Sequence, residues 1–487
     1  MPRPAAEDPM RYSFRTATSE GTRPSTGRLL RALCFAAFAV ALTGCASVSV
    51  QKPAEATQAL DPAFVQAQDL ARQEATLDPA KRADNTRAIE RLLAGLDDAT
   101  LSRNAAALPA GDPLYRYAGQ ALVRRGLPVP RPFDRGGWYF DAGNRPPAES
   151  DGYRPPVKLA VLLPLSGNLA SAAAPVRDGF LTGYYGETRR RPEVAFYDTA
   201  GTAAGASAAY QRALAEGNDF VLGPLGRDEV AAVFRETKPG VSMLALNRVG
   251  TPPSGAASFS LSPEDDGIAA ADYLLAHKAK RVLVLTGNDD GMRRAAAALR
   301  DTLAARGGAV VENLDIGGDP LTLLPRLQAA VQKAGAVDAV FLAMRASEAR
   351  TVAPLLAPAG LGGKLRVATS ALVAGMSATP TENMALDGIA YPTEPWTSHG
   401  LSGLPSAASV AQRLKTARGP AARLFAFGYD AWLITAYLQK LALEANGQVN
   451  GATGTLRLDG FGNVLHTPTW STFSGGNPVP LADAAAH

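Results

Sequence analysis

The spacing of apolar positions changes character along the chain. From Asp61 to about Gly126 it is helical. Ile89, Leu92, Leu93 and Leu96 fall on one face at i, i+3, i+4 and i+7, with Asn85 as a candidate cap. Asp112-Pro113 opens another helix through Leu114, Tyr117 and Leu122, and Gly126 stops it. Two or three helical hairpins, a short all-α module over 61–126, are predicted. Pro128, Pro130, Pro132, Pro146, Pro147, Pro155 and Pro156 then mark 127–156 as a stiff, extended connector. Its aromatic residues Trp138, Tyr139 and Phe140 are expected to pack on a neighbouring domain.

Beyond the prolines the rhythm becomes β-α-β. Lys158–Leu163 is an apolar run followed by the turn Pro164-Leu165-Ser166-Gly167 and a helix through Val176, Phe180 and Tyr184. Val194–Tyr197, Phe220–Leu222 and Val241–Leu246 are further short strands. A second set opens at Ser262-Pro263-Glu264-Asp265, an N-cap, a proline at the first helical position and acids in the first turn. Strands follow at Arg281–Leu285, Val310–Leu314, Val337–Leu342 and Leu365–Ala368, with helices near Arg293–Ala304, Leu324–Lys333 and Ser347–Leu356. This is an α/β pattern of two lobes, each with a parallel sheet covered by helices, over 157–480. The lobes are expected at 157–258 with 391–446, and at 259–390 with 447–480.

The first 44 residues differ from all of this. Arg28 and Arg31 flank an apolar stretch through Leu33, Phe35, Phe38, Val40 and Leu42. It is shorter than the roughly 20 residues of a membrane span and has the form of a secretory signal. It ends in Leu42-Thr43-Gly44-Cys45, which looks like a bacterial lipobox, making Cys45 the candidate lipidation site. Met10 is an alternative start to Met1. Cleavage before Cys45 would remove six of the 49 basic and three of the 45 acidic residues. The mature chain is then nearly neutral, and its charge gives no reason to expect nucleic acid as a partner. Of the two cysteines, Cys34 leaves with the signal and Cys45 would carry lipid, so no disulfide is expected. Residues 45–60 read as a flexible tether. The residue after Cys45 is Ala46 and not Asp, which resembles the sorting pattern for the outer membrane.

Four segments, taken together, resemble a known fold. Lys158-Leu-Ala-Val-Leu-Leu-Pro-Leu-Ser-Gly167, Val221-Leu-Gly-Pro-Leu-Gly226, Gly428-Tyr-Asp-Ala-Trp432 and Gly451-Ala-Thr-Gly-Thr-Leu-Arg-Leu-Asp459 are similar to stretches of type I periplasmic binding proteins, in the same order. Ser242-Met-Leu-Ala-Leu-Asn247 adds a likeness to the LpoA-type outer-membrane lipoproteins that activate class A penicillin-binding proteins. The resemblance implies a two-lobed type I periplasmic-binding-protein-like fold. It also implies a non-enzymatic role: docking on an inner-membrane class A penicillin-binding protein and stimulating peptidoglycan cross-linking from the outer membrane. Relatives with a long helical N-terminal domain use it for reach, whereas here the helical part is short. Either the tether and proline connector supply that reach, or the partner and geometry differ.

Enzyme chemistry has little support. The four histidines are dispersed, with no HExxH, Walker loop or G-x-S-x-G elbow. Ser49-Val50-Gln51-Lys52 matches S-x-x-K but lies in the tether without a K-T-G partner. No catalytic residue, metal or cofactor is predicted. Binding, if any, defaults to the cleft between strand ends, where the candidates are Ser166, Gly223, Leu225, Asn247, Asp289 and Tyr429. Gly223-Pro224-Leu225-Gly226 could offer backbone N–H groups to an anion, although a structural turn before a helix is the better account of it. Asn247 stands where amino-acid-binding relatives tend to place a hydroxyl, and a hydroxyl-poor cleft cannot repay desolvation of a zwitterion. The alternative function is a solute-binding lipoprotein for a peptide, muropeptide or amino acid.

Overall fold

The computed structural model describes residues 59–134, 145–236, 241–373 and 379–481. Cys45 and the Trp138–Phe140 segment lie outside the described residues. Helices α1 (Pro62–Gln73) and α2 (Pro79–Ala94) form one hairpin, and α3 (Asp98–Ala107) and α4 (Tyr115–Arg124) a second. Asp61 caps α1, its carboxylate accepting from the Ala63 N–H at 2.8 Å. Asn85 is not a cap: it lies inside α2, and its buried amide donates to the Leu70 carbonyl at 3.1 Å, tying the hairpin together. Ile89, Leu93, Leu101, Tyr115 and Leu122 fill the module's core.

The module is docked rather than extended. Gln120 donates to the Asp459 carboxylate at 2.7 Å, and the Val129 N–H to Asn446 at 3.0 Å. Tyr117 meets Phe461 edge-on with centroids 4.8 Å apart. The described residues 145–156 of the stiff, extended connector are held against the body as well. Tyr153 is buried in the main core, Arg154 donates its N–H to the Ala436 carbonyl at 2.8 Å, and Tyr437 donates to Asp151 at 2.7 Å. Prolines made this segment extended, but apolar and charged side chains between them bind it to the body. Neither segment therefore provides reach.

The first sheet has eight strands in the order β11-β12-β13-β5-β4-β3-β1-β2. They are β1 (Lys158–Leu163), β2 (Glu193–Asp198), β3 (Phe220–Leu222), β4 (Ser242–Ala245), β5 (Ala256–Phe259), β11 (Gln448–Asn450), β12 (Thr455–Leu458) and β13 (Asn463–Thr467). Strands β1 to β5 run parallel. Leu159, Val161 and Leu163 enter one core and Ala160 and Leu162 the other, so both faces are covered. That explains an unbroken apolar run instead of an alternating one.

The second sheet, β7-β6-β8-β9, is parallel throughout: β6 (Arg281–Thr286), β7 (Ala309–Asp315), β8 (Ala339–Ala343) and β9 (Leu365–Ala368). Helices α5 (Ala170–Gly186), α6 (Ala203–Ala215) and α7 (Arg227–Glu236) serve the first lobe. Helices α8 (Pro263–Ala276), α9 (Asp290–Ala305), α10 (Leu323–Ala334) and α11 (Ala346–Leu356) serve the second. Ser262 and Asp265 cap α8 as expected: Asp265 accepts from the Ser262 N–H at 3.0 Å and hydroxyl at 2.8 Å.

The lobe assignment differs at the end of the chain. Residues 448–467, expected in the second lobe, enter the first sheet, with β13 parallel to β5 through Asn463–Ser258 and Val464–Phe259 pairs. Tyr391–Thr393 (β10), expected in the first lobe, pairs with β14 (Thr469–Ser474), which also pairs with β15 (Asn477–Pro480). Tyr391 and Phe473 close the second lobe's core. These strands are short, and although most of them pair with neighbours in the chain, only the distant β13–β5 and β10–β14 pairs decide which lobe they join, which local pattern did not assign.

Helix α12 (Ala421–Leu443) crosses α5 in backbone contact. A Cβ on Gly428 would stand 2.0 Å from the Val176 carbonyl oxygen, and one on Gly179 would stand 1.9 Å from that of Phe425. Asp430, two residues on, is buried and accepts from the Ala452 N–H at 2.5 Å, the Thr453 N–H at 2.7 Å and the Thr453 hydroxyl at 2.6 Å. The Gly428–Trp432 and Gly451–Asp459 motifs thus form one structural lock.

Candidate functional site

Loops from both parallel sheets carry the candidate residues at strand C-terminal ends. After β1, Ser166 is exposed, but its hydroxyl donates to Asp198 at 2.6 Å and its N–H to the same carboxylate at 3.2 Å. The Ser166 hydroxyl and neighbouring backbone donors hold Asp198 below the usual carboxylate range. After β3, Gly223 has φ +99°, and a Cβ there would stand 2.1 Å from the Leu162 carbonyl oxygen, so only glycine fits. Its N–H donates to the Leu244 carbonyl at 2.8 Å. The turn is structural, with one of its N–H groups taken by a side chain of the protein itself. Glu229, 1% exposed, accepts from the Gly226 N–H at 2.6 Å, and burial pushes its carboxyl up.

The remaining candidates are likewise engaged. Leu225 packs against the first core and its carbonyl accepts from the Asn247 amide at 2.9 Å. The Asn247 side-chain oxygen accepts from the Arg248 N–H at 2.9 Å. After β6, Asp289 caps α9 through the Gly291 N–H at 2.8 Å and accepts from Arg345 at 2.6 Å, which holds its pKa down. Tyr429 is not at a strand end. It is buried in α12 against Gly183 of α5, and burial pushes its hydroxyl up to about 12. The structure thus groups Ser166, Gly223, Leu225 and Asn247 on the first lobe's edge, places Asp289 on the second's, and removes Tyr429.

The lobes meet through side chains that no sequence motif singled out. Arg423, at the start of α12, donates to Asp266 of α8 at 3.2 Å, pairs with Glu394 at 2.9 Å, and reaches the Ser370 hydroxyl. Asp266 also accepts from the Ser370 N–H at 3.0 Å and hydroxyl at 2.5 Å. Beside this cluster is a cavity of about 290 Å³ that also reaches Tyr391, Thr397 and Ser398. Burial would lower the Arg423 pKa, but Asp266 and Glu394 hold it up, while burial pushes Glu394 up. Arg248 adds a second crossing at 3.4 Å to Asp265. Asp266 stands one residue beyond the Ser262–Asp265 cap and was not singled out by it, and Arg423 had nothing to distinguish it from other basic residues. No group of acids, histidines and cysteines suited to a metal occurs among the described residues.

With this geometry in hand, the comparisons become informative. Residues 153–476 match the family model described as "LppC putative lipoprotein". The chain belongs to this family. Proteins named penicillin-binding protein activator LpoA are similar to it: that of Photobacterium profundum is 27% identical over 67% of this chain and 57% of its own length. That of Klebsiella pneumoniae is 25% identical over 60% of this chain and 45% of its own. The chain thus spans about half the length of the curated relatives it matches. Among solved structures, the Haemophilus influenzae LpoA C-domain, described as a regulator of PBP1A, aligns with TM-score 0.58 at 21% identity. It covers 67% of this chain and all of that one. Full-length LpoA from the same organism aligns with TM-score 0.59 at 19% identity over 86% of this chain and 78% of that one. A Chromobacterium violaceum protein described as a "putative branched-chain amino acid ABC transporter" aligns with TM-score 0.54 at 26% identity, over 65% of this chain and all of that one. The two-lobed periplasmic-binding-protein-like fold is thereby established for this member of the LppC family.

Proposed function

We propose that this LppC-family protein is a non-catalytic, lipid-anchored activator. Held in the outer membrane through Cys45, its two-lobed body binds a class A penicillin-binding protein and stimulates peptidoglycan cross-linking. The observation that carries the reading is a binding-protein fold whose strand-end polar groups are already spent on one another. Ser166 is bound to Asp198, Asn247 to Leu225, Asp289 to Arg345, and the Gly226 N–H to Glu229. A solute entering there would lose water without gaining hydrogen bonds. A partner protein needs only the outer surface. The names of the matched relatives support the same reading.

No helix among the described residues is long and apolar enough to cross a membrane, in keeping with a lipid anchor. Reach is then limited. With the module docked, the 45–59 tether spans at most about 50 Å at full extension, so the synthase must bring its own periplasmic domain to the body. Affinity capture from detergent-solubilised envelope tests the pairing: a class A synthase should be retained by the wild-type chain. Capture of transport permease subunits in its place would favour the solute-binding alternative.

A further inference from the structure

A second concavity lies between the helical module, the second lobe and the Arg248, Arg457 and Leu465–Thr467 parts of the first lobe. It has a volume of about 680 Å³. A further space of about 310 Å³ adjoins it, and Arg124, Asp272 and Arg306 line both. Ligand sites span roughly 300–1,000 Å³, so the larger space is of disaccharide size or more.

One wall is aromatic. Trp470 of β14 stacks on Tyr273 of α8 with centroids 4.0 Å apart and planes at 29°, and Tyr273 lies 4.2 Å from the His277 ring. Neither the Trp470 indole N–H nor the Tyr273 hydroxyl has a hydrogen bond among the described residues. The facing wall is cationic: five arginines against three aspartates line the larger space. Three of the five are engaged. Arg125 donates to the Leu93, Ala94 and Leu96 carbonyls at the end of α2, Arg306 pairs with Asp272, and Arg457 binds Gln448 and the Leu127 carbonyl. Two have unused capacity. Arg124 is exposed with no partner among the described residues. Arg248 has only its 3.4 Å contact to Asp265, and its Nε is buried without an acceptor.

A stacked indole offers a flat apolar face to the C–H side of a sugar ring, and its N–H and the phenol can meet sugar hydroxyls. Guanidinium groups with donors to spare call for a carboxylate, which such a group can bind with two parallel hydrogen bonds. We propose that this cavity binds a carboxylated oligosaccharide, with sugar on Trp470 and carboxylate between Arg124 and Arg248. A nucleotide would offer a ring and an anion too, but the export signal places the chain where acidic sugars, and not nucleotides, are abundant. The inference rests on export and not on activation of a synthase.

The test uses the mature chain with Cys45→Ala, titrated by calorimetry and tryptophan fluorescence. The probes are a peptide-free oligosaccharide of alternating N-acetylglucosamine and N-acetylmuramic acid, neutral chitotetraose, and uridine monophosphate. The acidic sugar should bind at least tenfold more tightly than either alternative and quench fluorescence. Arg124→Gln, an exposed change that leaves the urea midpoint unmoved, should weaken it about tenfold, and Trp470→Ala should abolish the quench. Equal binding of chitotetraose, preference for the nucleotide, no binding at millimolar sugar, or unchanged affinity in Arg124→Gln would each overturn the assignment. Because no synthase is present, failure here leaves the activator reading untouched.

Discussion

Replacing Arg423 by Met should expose how much the inter-lobe cluster contributes. The guanidinium bridges Asp266 at 3.2 Å and Glu394 at 2.9 Å. Their side chains are only 7% and 11% exposed, while Arg423 itself is 28% exposed. Methionine keeps most of the volume and leaves two buried carboxylates facing each other. Asp266 retains the Ser370 N–H and hydroxyl, so the uncompensated charge falls mainly on Glu394. Breaking a buried pair costs about 3–5 kcal/mol, and partial exposure of the arginine places this case near the lower end, about 3 kcal/mol.

The sign of the pH dependence follows. Burial already pushes Glu394 above its ordinary 4.5, so the fold favours its protonated form, and loss of Arg423 pushes it further. The variant's deficit should therefore be largest above neutral pH and shrink as pH falls toward the ordinary carboxylate range. Urea unfolding of wild type and variant at pH 8 and pH 5.5 measures this. Adding Glu394→Gln should recover more than half of the loss at pH 8. A deficit below about 0.5 kcal/mol, typical of exposed pairs, or one independent of pH, would refute the reasoning.

Other consequences can be checked separately. Gly428→Ala puts a methyl 2.0 Å from the Val176 carbonyl oxygen, and should destabilise the body by about 3 kcal/mol in urea unfolding; a neutral result would mean that α5 and α12 separate freely. Asp459→Ala removes the acceptor of Gln120 and of the Phe461 and Asn463 N–H groups, so residues 60–134 should become sensitive to limited proteolysis before the remainder of the body. Cys45→Ala should leave a folded body but move it from the membrane to the soluble fraction on cell fractionation.

The central parallel strands were legible because they are local apolar runs buried on both faces. Lys158–Leu163, Phe220–Leu222 and Leu365–Ala368 have the bounds that the sequence predicts. The proline connector was misread because proline reports backbone shape, not what the segment packs on: Tyr153 is buried. The strands after Gln448 are short, and the pair that fixes their lobe joins distant chain, with Val464 parallel to Phe259. The cleft candidates other than Tyr429 lie on loops at strand ends, yet their hydrogen-bond partners depend on packing that no motif encodes. Arg423 and the Trp470–Tyr273 stack were invisible for the same reason, since each joins residues over 150 positions apart.

The central claim is that this body activates a class A penicillin-binding protein. A purified cross-linking assay on lipid-linked substrate, with the mature chain in excess over the synthase, measures it. The account predicts a several-fold rise in cross-linked product, retained in Cys45→Ala because no membrane needs to be bridged in solution. Unchanged cross-linking under saturating protein would contradict it.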